Sequence, residues 1–211
     1  MRGAVARLES VEFRRMGERG VKGRYPLHFH RAGGASASCV RACGIHHCCN
    51  RSLTIHGTRR LRVSDTVSFD TIGHAFFLED GDETKNVLSR NLVFLTRAAA
   101  PGANILLSDL TPATFWVTNP DNVLAQNVAA GSEHNGFGYS PPKHPREPWA
   151  LMLRSSLFGR PGVSTASASC PIGADGIRNI RETWTLSPYT RRKRRASAAR
   201  ASSPASPKSA A

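Results

Sequence analysis

The sequence predicts an all-β fold: a right-handed parallel β-helix over residues 5–149, a poorly defined extension over 150–185 and a disordered tail over 186–211. Three observations lead there. Apolar residues alternate with polar ones in short runs, and helical spacing is scarce. The runs recur at related offsets. From Arg191 onward the chain is Arg, Lys, Ser, Ala and Pro, with no large apolar residue to offset the entropy of ordering it.

Taken in order, the strand-like runs are "VARLESVEF" from Val5, "CVRACGI" from Cys39, "SLTIHG" from Ser52, "LRVSDTVSF" from Leu61, "HAFFLED" from His74, "NVLSRNLVFL" from Asn86, "ATFWVTN" from Ala113 and "NVLAQNVAA" from Asn122. Gly, Asn and Asp punctuate them. Setting Asn50–Gly57 against Gly73–Asp80 aligns Leu53 with Phe76 and Ile55 with Leu78, 23 positions apart. Setting Thr66–Leu78 against Asn127–Tyr139 aligns Val67 with Val128 and Phe76 with Phe137, 61 positions apart. A strand-built period in the low twenties, with insertions between some repeats, marks a solenoid. In a parallel β-helix each coil stacks about 4.8 Å above the last, and Asn50, Asn91, Asn119 and Asn127 read as corner or ladder residues. A meandering β-sandwich is the alternative arrangement.

The formal charge of +14 divides unevenly: residues 186–211 carry seven Lys and Arg and no acid, leaving +7 for the rest. Half of the basicity therefore sits in the tail, and no specific nucleic-acid partner is expected. The "RRKRR" run from Arg191 reads as solvated, with a localisation or polyanion-binding run as the alternative. No apolar run reaches the roughly 18 residues of a membrane span, and the Arg-rich start has no apolar signal-peptide core, so no membrane insertion by this chain is expected. Five cysteines, an odd count without a paired Cys-x-x-Cys framework, imply neither a zinc knuckle nor a complete disulfide scaffold.

"GRYPLHFH", "GIHHCCNRSLTIHGT", "DTIGHAFFLEDGDET", "TPATFWVTNPDN" and "AAGSEHNGFGY" come in order between Leu8 and Pro148. Together they resemble successive coils of the G8-domain-associated parallel β-helix family, which includes hyaluronan-binding and hyaluronan-depolymerising cell-surface proteins and fibrocystin-like receptors. The chain departs from that pattern at "CCN", where an aromatic usually precedes Asn50, and at Gly138, where an aromatic is usual; the likeness fades from Leu151. The resemblance implies a fragment of a larger extracellular or cell-surface parent, with the G8 module and a secretion signal upstream. It implies as partner an acidic polysaccharide such as hyaluronan.

Alternation fixes the candidate site. With Leu27, Phe29, Leu53, Ile55, Phe76 and Leu78 inward, and Phe115 and Val117 inward by the family alignment, the outer face carries two columns. One is His30, His56, Glu79 and Thr118; beside it run His28, Thr54, Phe77 and Trp116. Glycoside hydrolysis uses a pair of carboxyl groups, and the resemblance to hyaluronidases implies that chemistry. The candidate catalytic residues are therefore Glu79, His56, Asp80 and His30, with Arg24, His28, Arg51, Phe77 and Trp116 contacting substrate. Elimination beside a uronic carboxylate is the alternative, with His56 or His74 as base and Arg24 or Arg51 as cation. A non-catalytic adhesive or receptor scaffold of fibrocystin-like type is the rival from another class.

Structural readings stand beside each. "EDGDE" from Glu79 reads equally as a solvated turn, His46 and His47 as corner residues satisfied by backbone carbonyls, and His74 as a strand cap. His28 and His30 lie two apart on a strand, as metal ligands can, with His56 and Glu79 to complete a set. The "RAGG" that follows lacks the carboxylate a cupin-type site would place there, so no metal site or cofactor is assigned, although calcium or zinc is compatible with these residues.

Overall fold

In a computed structural model of the chain, residues 4–140 and 142 are described, together with the backbone of 168–169. Apart from those two residues, the expected extension over 150–185 and the tail over 186–211 lie outside the described residues. The chain winds through β1 (Arg7–Glu9), β2 (Glu12–Arg14), β3 (Leu27–Gly34), β4 (Cys39–Arg41), β5 (Gly44–Cys48), β6 (Leu53–Arg59), β7 (Arg62–Ser64), β8 (Val67–Ile72) and β9 (Phe76–Leu78). It continues through β10 (Val87–Ser89), β11 (Leu92–Arg97), β12 (Ala113–Val117), β13 (Val123–Ala125), β14 (Val128–Ala130), β15 (Asn135–Tyr139) and β16 (Ala168–Ser169).

Every third strand pairs. The first sheet is β1-β4-β7-β10-β13, the second β2-β5-β8-β11-β14 and the third β3-β6-β9-β12-β15 with β16 at its edge. All pairs are parallel except β15 with β16. This is a parallel β-helix, and the sandwich alternative is excluded. The register follows the offsets read in the sequence: Leu53 pairs with Phe76 and Ile55 with Leu78, and Val67 and Val128 both pair with Leu92.

The alternation buries one side chain in two. Val40, Val63, Leu88 and Leu124 stack as a column from the first sheet, and Leu53, Phe76 and Phe115 from the third. Phe76 meets Phe115 edge-on at 5.4 Å, and Phe115 stacks on Phe137 at 4.9 Å. Between the first and second sheets a single residue in the left-handed region turns each coil: Ser10, Ala42, Asp65, Arg90 and Gln126. No glycine holds that position, so the ladder of neighbouring coils offsets a conformational cost of about 1–2 kcal/mol per residue.

Asparagines close the corners. Asn91 Oδ1 accepts from Thr66 N–H, while its Nδ2 donates to the Val63 carbonyl and to Asn127 Oδ1. Asn86 and Asn122 repeat this one corner away: Leu61 N–H donates to Asn86 Oδ1, and Asn86 N–H to Asn122 Oδ1. Asn91→Ala takes the acceptor from buried Thr66 N–H and a donor from the Val63 carbonyl, while Asn127 Oδ1 keeps the Asn91 N–H, so a loss of about 2–3 kcal/mol is expected. A fall in the urea midpoint at unchanged slope would register it.

Two insertions leave the solenoid and fold over the outer face of the third sheet. One precedes β3, and the amide of Asn50 pins it by donating to the Glu18, Val21 and Arg24 carbonyls. The other joins β11 to β12 and contains a short 3-10 turn at Leu107–Leu110. They meet at Gly20, where an added Cβ would come within 3.2 Å of the Ala103 carbonyl.

Candidate functional site

Outer residues of the third sheet pair as the alternation requires: His28 with Thr54, His30 with His56, Thr54 with Phe77, and Phe77 with Trp116. Exposure does not follow. Thr54, Phe77 and Thr118 point outward yet are buried at 0%, 1% and 3%: Arg51, paired with Asp109 of the second insertion, lies over Phe77, and the turn after β9 lies against Thr118, whose Oγ1 donates to the Leu78 carbonyl. The face is thereby divided into a sealed half and a half open at its rim, where His30 is exposed while the His56 and Glu79 side chains keep 10% and 8% of their surface.

The sealed half is built on Arg51. Its guanidinium lies 3.8 Å from the centre of the Phe77 ring, donates to both Asp109 carboxylate oxygens at 2.9 and 3.0 Å, and reaches Tyr25 Oη at 3.3 Å. Asp109 also fastens its own loop by accepting from Ile105 and Leu106 N–H. Against this lies His74, whose Nδ1 accepts from Ala113 N–H and whose Nε2 faces Ser108 Oγ at 3.0 Å. Burial and the nearby Arg51 charge push its pKa down to about 3, so His74 is a neutral strand cap. Arg51 and Phe77, expected to contact substrate, are instead 1% exposed and joined to each other, out of a polymer's reach. Trp116 is half-buried, tilted against His74 at 4.2 Å, and leans where a side chain on Gly138 would have to sit.

The open half gathers His28 and His30 from β3, His56 from β6, and Glu79 and Asp80 from the turn after β9. His30 stands edge-on to both other rings, 5.0 Å from His28 and 4.8 Å from His56, while His28 and His56 lie nearly parallel at 6.2 Å. His56 sits between two carboxylates: Nε2 is 2.7 Å from Asp80 Oδ2 and Nδ1 is 3.7 Å from Glu79 Oε2. Lys22 reaches Glu79 Oε1 at 3.7 Å. The His28 Nδ1 faces the Gly23 carbonyl at 3.3 Å, and burial moves its pKa down to about 4. Burial and the neighbouring His56 also lower the pKa of His30. Arg24 is exposed at the entrance to β3.

What holds Glu79 and Asp80 in place is Glu83, which the sequence offers only as one more acid of the cluster. Its side chain is fully buried, with Oε1 accepting from Gly57 N–H and Oε2 from Asp80 and Gly81 N–H. Burial and the Asp82 carboxyl push its pKa up to about 8, against the pull of those N–H groups. "EDGDE" is therefore a turn wrapped around a buried carboxyl, and the reading of it as a solvated turn is corrected. His46 Nε2 and His47 Nδ1 likewise meet Glu12 and Asp70 carboxylates at 2.7 Å, not carbonyls. Asp109 carries no signal in the sequence because it lies in an insertion outside the repeats.

The comparisons with known proteins agree with this architecture. The family model described as CEMIP beta-helix matches residues 1–157. The chain belongs to the CEMIP β-helix family. It is similar to human fibrocystin-L, 43% identical over 145 residues, which are 68% of this chain and 3% of that protein. It is also similar to the cell surface hyaluronidase of Danio rerio, 37% identical over 163 residues, 63% of this chain and 12% of the other. The human cell migration-inducing and hyaluronan-binding protein is 33% identical over 163 residues, 64% of this chain and 12% of its own length. This CEMIP β-helix chain thus spans a small part of each relative. Among the described residues no helix is long and apolar enough to cross a membrane.

Proposed function

We propose that this chain is a carbohydrate-active segment of a cell-surface or extracellular β-helix, contacting an acidic glycosaminoglycan-like polysaccharide of the hyaluronan type at the open half of the third sheet. The observation that carries the reading is His56 held between Glu79 and Asp80 beside two further imidazoles. Asp80 lies against His56 Nε2 as an ion-pair contact, and Glu79 and His56 form an adjacent carboxyl and imidazole pair suited to moving a proton at a glycosidic oxygen. Exposed Lys22, Arg24 and Arg31 on and before β3 give the rim the positive charge an anionic polymer needs. The hyaluronan named in two relatives supplies the substrate class.

The test is to incubate the protein with size-defined hyaluronan and follow polymer length and retention. Shortening that falls by about a hundredfold or more in Glu79→Gln and His56→Ala is the expected result. Shortening that survives both substitutions would remove the assigned site. An ultraviolet-absorbing unsaturated end would mark elimination; its absence marks hydrolysis. The 43% identity to fibrocystin-L favours a second reading, a non-catalytic ectodomain scaffold, for which retention without shortening is the signature.

A further inference from the structure

His28, His56 and Glu79 each bring a ligand atom to one spot, and those atoms all lie within 4.8 Å of one another. The two histidines are diagonal neighbours on adjacent rungs, since His28 pairs with Thr54 and His30 with His56. Each ring has its outer nitrogen directed. The Gly23 carbonyl, 3.3 Å from His28 Nδ1, draws the ring proton there. That leaves His28 Nε2 as a bare lone pair, and this atom is buried without a hydrogen-bond partner. Asp80 Oδ2 stands 2.7 Å from His56 Nε2 as an ion-pair contact outside hydrogen-bond geometry, and His56 Nδ1 is turned toward Glu79 Oε2 at 3.7 Å. A carbonyl behind His28 and a carboxylate behind His56 are the kinds of outer-shell group that stand behind metal-bound imidazoles.

We propose that His28 Nε2, His56 Nδ1 and Glu79 form a binding site for one divalent transition-metal ion of the zinc class. Two imidazoles and one carboxylate make a donor set that leaves a fourth position open. Exposed His30 and the Lys22 ammonium, now the counter-ion of Glu79 at 3.7 Å, lie beside the cluster. Metal–ligand bonds of about 2.0–2.2 Å require the three atoms to draw together from their present spread, a matter of side-chain rotation on a rigid sheet. Calcium, which prefers six or more oxygen ligands, is a poor match for two nitrogens. The proposal uses the same cluster as the polysaccharide reading but does not depend on it, because its test involves no sugar.

The experiment is calorimetric titration of the chelator-treated chain with Zn²⁺, Co²⁺ and Ca²⁺, with the visible spectrum recorded for cobalt. Expected are one equivalent of Zn²⁺ or Co²⁺ bound at micromolar concentration or below, a cobalt spectrum of four-coordinate type, and no comparable calcium binding. His28→Gln and Glu79→Gln should each abolish stoichiometric binding, and Asp80→Asn, which touches no ligand atom directly, should weaken it by about tenfold or more. Far-ultraviolet dichroism of each variant separates lost binding from lost folding. Binding only at millimolar concentration, or binding that survives both Gln substitutions as it would at His46 and His47, overturns the site. So does stronger binding of calcium than of zinc.

Discussion

Arg51→Ala is expected to destabilise the fold by about 3–5 kcal/mol, the cost of leaving one member of a buried ion pair without its partner. The stranded group is Asp109, 2% exposed, which would keep only the Ile105 and Leu106 N–H donors and a distant His74 Nε2 at 3.8 Å. Phe77 would lose the cation over its ring as well. Arg51→Lys should recover only part of the loss, since an ammonium can approach both Asp109 oxygens as Nη2 does but cannot at the same time reach Tyr25 Oη and lie flat on the Phe77 ring. Pairing Arg51→Met with Asp109→Leu removes both charges together and should recover most of the loss. Urea unfolding of the four proteins is the measurement. A loss below about 1 kcal/mol for Arg51→Ala would mean that water reaches the pair and that the face is open where it is described as sealed.

Glu83→Ala is expected to cost about 3 kcal/mol near pH 5, because Gly57, Asp80 and Gly81 N–H groups lose their acceptor together. The cost depends on pH in a definite direction. Folding raises the Glu83 pKa from 4.5 to about 8, so the stability tied to its neutral form is fully present below pH 4.5. That stability is lost as pH rises toward 8. The difference between the wild-type chain and Glu83→Ala should therefore be largest at and below pH 4.5 and shrink steadily toward pH 8. Taking the difference cancels groups common to both proteins. A difference that grows with pH would show that the three N–H donors outweigh burial and hold Glu83 ionised. Since the turn carries Glu79 and Asp80, the same substitution should also weaken cobalt binding.

The solenoid was legible because its signal is periodic. Leu53, Phe76 and Phe115 occupy one column, and an apolar residue at a fixed rung cannot move by one position without turning a whole strand inside out. Asn91 and Asn127 were legible as a ladder for the same reason, whereas Asn86 and Asn122 close a corner that the sequence did not mark and Asn50 pins an insertion instead. The corner residues with left-handed backbone were not: Ser10, Ala42, Asp65, Arg90 and Gln126 share no residue type, and only the ladders of the neighbouring coils force the conformation on them.

At the site the sequence by itself determined direction: which side chains of β3, β6, β9 and β12 point outward, and hence that His28, His30, His56 and Glu79 are neighbours. Only the tertiary structure decided which of those outward residues meet solvent. Two insertions from different coils fold back over the sheet, and their contacts, Asn50 with the segment before β3 and Arg51 with Asp109, join residues that no repeat aligns. Alternation is a local property of the strand, set by backbone geometry. Burial is a property of whatever lies above it, set by partners distant in the chain.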